Sequence, residues 1–300
     1  MIRQRSRSLA RPGVRRGATL LLLLLPLGIF GACARMGFDT KGTDLRVNAS
    51  GDSSHVENDG VTSPWSEPCT DRLDPLTLAL YTLEEGGGPA TMDLTGIHQG
   101  SIVGTGIQRV PGIPGCGQAL QFPHTGTDFA TIPNHPDWQR TSGSVDLWVR
   151  FDTPFQGEHY QGILSRDAAG TTKAGHFSIQ RVCNGAITAR VQAAGVSHEV
   201  CSDPVAEGEW HRVGVNFGPP GLELYVDGQL AAPSSQIICG KMVIDCGGQT
   251  REGIDGNDNP WVIGASARTS GEGLATPVDN PLGGLVDSLR ISSARRAHGQ

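Results

Sequence analysis

Residues 144–151 read SVDLWVRF, with Val145, Leu147, Val149 and Phe151 apolar and Asp146, Trp148 and Arg150 set between them. Successive side chains of a β-strand point to opposite faces, so this alternation predicts a strand with one buried face. The same period recurs in ITARVQ at 187–192, where Ile187, Ala189 and Val191 share a side. It recurs again in LELYVDGQLAA at 222–232, where Leu222, Leu224 and Val226 do so before an Asp227-Gly228 pair. Asp-Gly between alternating segments is a strong short-range hairpin signal. Helical spacing of apolar residues is absent, and glycine, at 42 of 300 residues, stands at about twice its average share. Many short strands separated by Gly, Pro and Asn loops predict an all-β sandwich or barrel.

Working outward from that strand, LALYTLEEGGG at 78–88, MDLTGIHQGSIVG at 92–104, GQALQF at 117–122 and GILSRD at 162–167 keep the same character. So do EWHRVGVNF at 209–217 and GGLVDSLRISSARR at 283–296. In this order the segments resemble a laminin G-like domain of the concanavalin A-like lectin and glucanase superfamily. The resemblance implies a jelly-roll β-sandwich of two antiparallel sheets, covering nearly all of 69–296 as one domain and leaving 297–300 as a tail. The segment CGKMVIDCGGQTREGIDGNDN before Trp261 departs from that pattern and enlarges a loop at the rim of any site.

Upstream, Arg3, Arg5, Arg7, Arg11, Arg15 and Arg16 precede the leucine run 20–25 without one acidic residue. The uncharged stretch is shorter than the roughly 20 residues a spanning helix needs, so residues 1–32 read as a cleaved export signal. Phe30-Gly31-Ala32-Cys33 resembles the bacterial lipobox, which implies a lipid on Cys33 and an envelope lipoprotein held at the outer membrane or cell surface. An ordinary signal peptide cleaved nearby is the alternative. Residues 33–68 are polar and poor in large apolar side chains, so they read as a flexible tether. Loss of the leader leaves 18 Lys and Arg against 30 Asp and Glu, a net charge of −12. That sign disfavours nucleic acid and anionic headgroups as partners.

Export places the remaining cysteines in an oxidising compartment, where Cys69, Cys116, Cys183, Cys201, Cys239 and Cys246 read as three disulfides. Counting leaves their connectivity open. Local spacing suggests Cys183 with Cys201 across two neighbouring strands and Cys239 with Cys246 across a short loop, which leaves Cys69 for Cys116. No CxxC or paired His and Cys spacing points to zinc.

The superfamily resemblance spans glycosidases, lectins and adhesion modules, so function rests on site residues. Retaining glycosidases need two carboxylates roughly 5 Å apart, and the glucanase branch supplies them from a Glu-x-Asp-x-x-Glu strand that this chain lacks. Glu223 and Asp227, the nearest pair, lie on the polar side of a hairpin that ends at a turn, and adjacent Glu84 and Glu85 point opposite ways. No Gly-x-Ser-x-Gly elbow is present, and His211, in parity with Val213, Val215 and Phe217, reads as a hydrogen-bonded inward residue. The expectation is a non-enzymatic binding module for a glycan, with an envelope-protein interaction or scaffold domain as the alternative and a glycosidase as the third reading. Trp148, Trp210 and Tyr225, each on the polar parity of its strand, are the candidate sugar platform, unless they pack under a loop.

One carboxylate stands out. In LVDSLRIS, Asp287 falls in parity with Leu285, Leu289 and Ile291, and a buried charge needs a partner. Either an ion pair or a metal would serve. The laminin G-like resemblance implies a structural Ca²⁺ where the loop after the first strand meets the last strand. That assigns Asp93 and Asp287 as ligands, with carbonyls around Thr95, Gly96 and His98 completing an oxygen-rich shell. The acidic turn Asp255, Asn257 and Asp258 is a competing site.

Overall fold

The computed structural model describes residues 72–155, 160–167, 174–193, 195–232, 236–266 and 278–298. The leader, the tether with Cys33, and Cys69 lie outside the described residues. The first strands are β1 (Thr77–Tyr81), β2 (Ala90–Thr91), β3 (Gly100–Val103), β4 (Gln108–Pro111), β5 (Gln118–Pro123) and β6 (Phe129–Ile132). After a single 3-10 turn, Pro136–Trp138, come β7 (Gly143–Phe151), β8 (Tyr160–Arg166), β9 (His176–Val182), β10 (Ala186–Ala193), β11 (Val196–Pro204) and β12 (Trp210–Phe217). The last are β13 (Glu223–Val226), β14 (Gln229–Leu230), β15 (Gln236–Cys239), β16 (Met242–Asp245), β17 (Trp261–Ile263) and β18 (Gly283–Ser292). No helix among the described residues is long and apolar enough to cross a membrane.

Two antiparallel sheets form the predicted sandwich. The first runs β14-β13-β12-β7-β18-β5-β4, with β1 also on β18, and the second runs β11-β10-β9-β8-β17-β6-β3-β2. Alternation fixes what lies between them. Val145, Leu147, Val149 and Phe151 of β7 are buried in the same cluster as Phe177 and Ile179 of β9 and Ile187, Ala189 and Val191 of β10. An aromatic chain threads that layer: Phe217 meets Phe177 edge-on at 5.9 Å, Phe177 meets Trp261 at 5.5 Å, and Trp261 meets Trp138 at 6.3 Å. Burying each such ring stabilises the fold by about 1.5–3 kcal/mol. Asp227 (φ 50°) and Gly228 (φ 78°) both take left-handed backbone, the geometry a two-residue type I′ turn requires, and Val226 pairs with Gln229 across it.

The parity argument for Asp287 fails at a β-bulge. Asp287 opposes Trp148 on β7, whereas Arg290 opposes Asp146, so three steps on β18 match two on β7. Ser288, at φ 47°, carries the extra residue. A bulge switches the face of everything beyond it. Val286, Leu289 and Ile291 enter the core, while Asp287 lies on the other side with Trp148.

The expected disulfides are also corrected. Cys183 joins Cys239, and Cys201 joins Cys246. Cys183 follows β9 and Cys201 lies in β11, with β10 hydrogen-bonded between them, so a direct bridge would have to cross a strand. Cys239 sits beside the turn of the β15–β16 hairpin, opposite Met242, while Cys246 follows its open end. The two bridges therefore pin that hairpin onto the second sheet, where Ile237 and Ile244 pack with Val182 and Ala186. Cys116 is also disulfide-bonded.

Candidate functional site

Each sheet has a face turned away from the core, and the candidate residues divide between them. On the first sheet, Trp148 opposes Arg212, Trp210 opposes Arg150, and Tyr225 opposes Gly214. All three aromatic residues are half-buried. The Arg150 guanidinium lies 5.6 Å from the Trp210 ring centre and also pairs with Asp152 at 2.8 Å. The Tyr225 hydroxyl is 3.1 Å from Glu223 Oε2, and its ring lies 5.0 Å from that of His298.

His298, expected in a tail, is buried against this face. Its Nδ1 is 2.8 Å from Asp146, and Gly214 makes room for it: a Cβ there would lie 2.4 Å from the imidazole. The Asn216 amide bonds both the N–H and the C=O of Arg296, at 3.0 and 2.9 Å. Arg296 then reaches Asp74 at 2.7 Å and holds that carboxyl well below the usual range. Arg295 pairs with Glu223 at 2.6 Å. Tyr225 therefore packs beneath the chain's own C-terminal segment.

The second sheet presents a different surface. Register aligns Glu199 of β11 with Arg190 of β10, Arg190 with Ser178 of β9, and Ser178 with Ser165 of β8. A neighbouring row aligns Ser197, Gln192 and His176, and another aligns Thr188 with Gln180. These donors and acceptors form a grid spaced about 4.8 Å across the strands and about 6.8 Å along one face of each strand. Arg190 donates to Ser197 Oγ at 2.6 Å and to Gln192 Oε1 at 3.3 Å, and lies 3.7 Å from Glu199. The His176 Nε2 is 3.2 Å from Asp167.

Burial shapes the chemistry of this face. It depresses His176 to about 3, with the Arg190 charge adding to the effect, so the imidazole is neutral. Burial also raises Glu199, and it pushes the Tyr160 phenol up to about 12. Ser178 is fully buried, yet its hydroxyl has no hydrogen-bond partner. Leaving such a group unsatisfied costs about 1–3 kcal/mol. The pinned hairpin walls one end of the grid. The sequence held a signal for this face, since ITARVQ puts Thr188, Arg190 and Gln192 opposite its core residues, but alternation alone does not reveal that a polar parity is buried.

The other marked residues have assigned places. Asp93 accepts hydrogen bonds from the backbone N–H groups of Leu80, Thr95 and His98 at 2.9, 3.0 and 3.0 Å, and from the Thr95 hydroxyl. Asp287 accepts from the Ile113 N–H at 3.3 Å. Asn257, from the competing acidic turn, is buried. Its amide donates to the carbonyls of Arg166 and Gly175 and its oxygen accepts from Asn259, which ties three segments together. His211 is inward and hydrogen-bonded, to Asp227 at 2.8 Å and to the Ala206 carbonyl at 2.9 Å. Glu223 and Asp227, held by Arg295 and His211, face different partners.

The fold has relatives. The Trypanosoma rangeli sialidase bound to 2,3-difluorosialic acid superposes with a TM-score of 0.52 at 16% identity over 75% of this chain and 32% of its own. A botulinum neurotoxin type C structure, described as entering cells through two ganglioside molecules, gives 0.50 at 11% identity over 74% and 49%. Domain 4 of the arabinanase AbnA from Geobacillus stearothermophilus, in complex with arabinotriose, gives 0.49 at 17% identity over 73% and 93%. This chain thus spans about a third of the sialidase and half of the toxin chain, and the likeness to these two is one of fold. No curated protein matches the sequence. Residues 124–298 match the laminin G-like model described as the concanavalin A-like lectin/glucanases superfamily, and with that match over more than half its length the chain belongs to this family.

Proposed function

We propose that the domain binds a glycan on the outer face of its second sheet and does not hydrolyse it. The observation that carries this reading is the polar patch in which Arg190, aligned with Glu199 and hydrogen-bonded to Ser197, reaches the surface at the edge of the grid. Hydroxyls of a saccharide are both donors and acceptors, so they complement such a row better than an apolar ligand does. The neurotoxin, which shares this fold over about half of its chain, is described as interacting with two ganglioside molecules, and a glycan ligand here is compatible with that. Asp167 follows β8 and Glu199 lies in β11, three strands away. That is about 14 Å, wider than the roughly 5–9.5 Å between glycosidase carboxylates. The leader and Cys33 support an export-and-anchor role that would hold the domain in the cell envelope.

A protein-binding role has its own supporting observation: Ile238 and Val243 oppose each other on the pinned hairpin, 70% and 54% exposed. A glycan array followed by calorimetry on the best hit separates the two. Arg190→Ala should weaken glycan binding about tenfold or more, consistent with loss of a charge-assisted hydrogen bond worth about 1.5–3 kcal/mol, while Trp148→Ala should change it less than about twofold. The reverse ranking would return the site to the aromatic residues of the first sheet. No glycan binding, with capture of an envelope protein lost in Ile238→Asp, would favour the second reading.

A further inference from the structure

We propose that His98, His135 and Asp137 form a binding site for a divalent transition ion of the zinc class. His98 lies 37 residues before His135, with Asp137 two residues beyond it, and no cysteine or paired histidine spacing marks them. His98 comes from the loop between β2 and β3, His135 precedes the 3-10 turn, and Asp137 lies within that turn. Their ligand atoms all fall within 4.8 Å of one another.

One carboxylate oxygen organises the group. Asp137 Oδ2 is 3.2 Å from His98 Nε2 and 3.3 Å from His135 Nδ1. These separations match the edge of a tetrahedron, about 3.4 Å, around an ion with bonds of about 2.0–2.2 Å. The His98 side chain is 1% exposed, and its buried Nε2 has Asp137 Oδ2 as its polar neighbour. The Asp137 N–H, at 3.2 Å, is the proton His135 Nδ1 accepts, and an ion would replace that long capping bond. Two imidazole nitrogens and a carboxylate oxygen that converge at these distances are arranged as ligands are around a cation.

The surroundings hold the donors in place. The His98 ring lies 4.2 Å from Trp138 and edge-on to His135 at 4.5 Å. Its backbone N–H donates to Asp93 at 3.0 Å, and its carbonyl accepts from the Tyr81 hydroxyl. Asp93 thus fixes the loop that carries a ligand, as outer-shell carboxylates do in metal sites. Arg140 donates to the Asp137 carbonyl at 2.8 Å and steadies the turn. Two imidazoles and one carboxylate suit zinc, whereas Ca²⁺ takes six to eight oxygens. Side-chain exposure of 42% for His135 and 38% for Asp137 leaves a fourth position open to solvent.

The test uses the full chain without a histidine tag, carrying Cys33→Ser so that this sulfur contributes no ligand. Chelator-stripped protein is titrated with Zn²⁺ by calorimetry and with Co²⁺ by visible absorption. One equivalent should bind, Co²⁺ should show the strong visible bands of four-coordination, and Ca²⁺ should not compete. His98 is buried and its replacement can compromise folding, so the half-exposed positions carry the test. His135→Ala and Asp137→Asn, checked for native circular dichroism, should each weaken Zn²⁺ at least about tenfold. Absence of stoichiometric Zn²⁺ in the parent, or unchanged affinity in either variant, overturns the assignment.

Discussion

On the first sheet, Arg295, Arg296 and His298 lay the end of the chain over Asn216 and Gly214 and close that face with ion pairs of their own. On the second sheet, the equivalent parity holds Ser178 and Gln192 buried and His176 and Arg190 half-buried, with one end walled by a hairpin that two disulfides secure. Both sheets obey the same alternation. The difference shows that the outward parity of a strand is committed by segments remote in sequence. Each face keeps a buried hydroxyl without a partner, Ser144 on the first sheet and Ser178 on the second, so what separates them is that residues 295–298 cover the first while Ser197, Arg190 and Glu199 reach the surface of the second.

The strongest way to break this contrast is to release the hairpin. Replacing Cys201 and Cys246 together by Ala opens a crosslink across 45 residues, and chain entropy puts the loss at about 4 kcal/mol. Thermal unfolding should fall by many degrees, with glycan affinity falling alongside wherever the fold survives. Retained stability would mean that packing of Ile237 and Ile244 holds the wall unaided.

The first face can be opened with a single methyl group. Gly214→Ala places a Cβ against the His298 imidazole, and such overpacking costs about 1–3 kcal/mol. Denaturant unfolding should show that loss while glycan binding is unchanged. An equal loss of glycan affinity would mean that the two faces are coupled.

Histidine gives the two sheets opposite pH slopes. The hydrogen bond to Asp227 raises His211 above its ordinary 6.5. Its contribution is complete below about 6.5 and is lost as pH rises through the raised value. Burial lowers His176 to about 3, so unfolding takes up a proton between about 6.5 and 3. Stability therefore falls as pH falls across that window. Melting curves from pH 3.5 to 8 should show a shallower acid-side slope in His176→Gln, with the depressed Asp74, Asp93 and Asp128 carboxyls supplying the rest, and a shallower alkaline-side slope in Asp227→Asn. Parallel curves for wild type and both variants would refute the assignment.

The smallest expected effect concerns calcium. With Asp93 taken up by backbone N–H groups and Asp287 turned away by the bulge, millimolar Ca²⁺ should move the melting temperature by less than about one degree, since a ligand stabilises only through binding the native state. A clear rise, lost in Asp287→Asn, would restore calcium to these two carboxylates.

The sandwich itself was legible in the sequence because its strands carry their burial in a local pattern. Val145 to Phe151, Ile187 to Val191 and the Asp227-Gly228 turn each encode their structure within a few residues, and period two and left-handed turn chemistry act at that range. His211 was legible for the same reason. Asp287 was misread because Ser288 inserts a bulge that composition does not announce, and one extra residue reverses every later side chain. The disulfides were misread because sequence proximity stands in poorly for adjacency when β10 intervenes between Cys183 and Cys201. Covering of the outer faces, convergence of His98 with His135 and Asp137, and burial of Ser178 each depend on contacts between distant segments. Local periodicity determines which side of a strand is apolar, and only the packed chain decides what meets the other side.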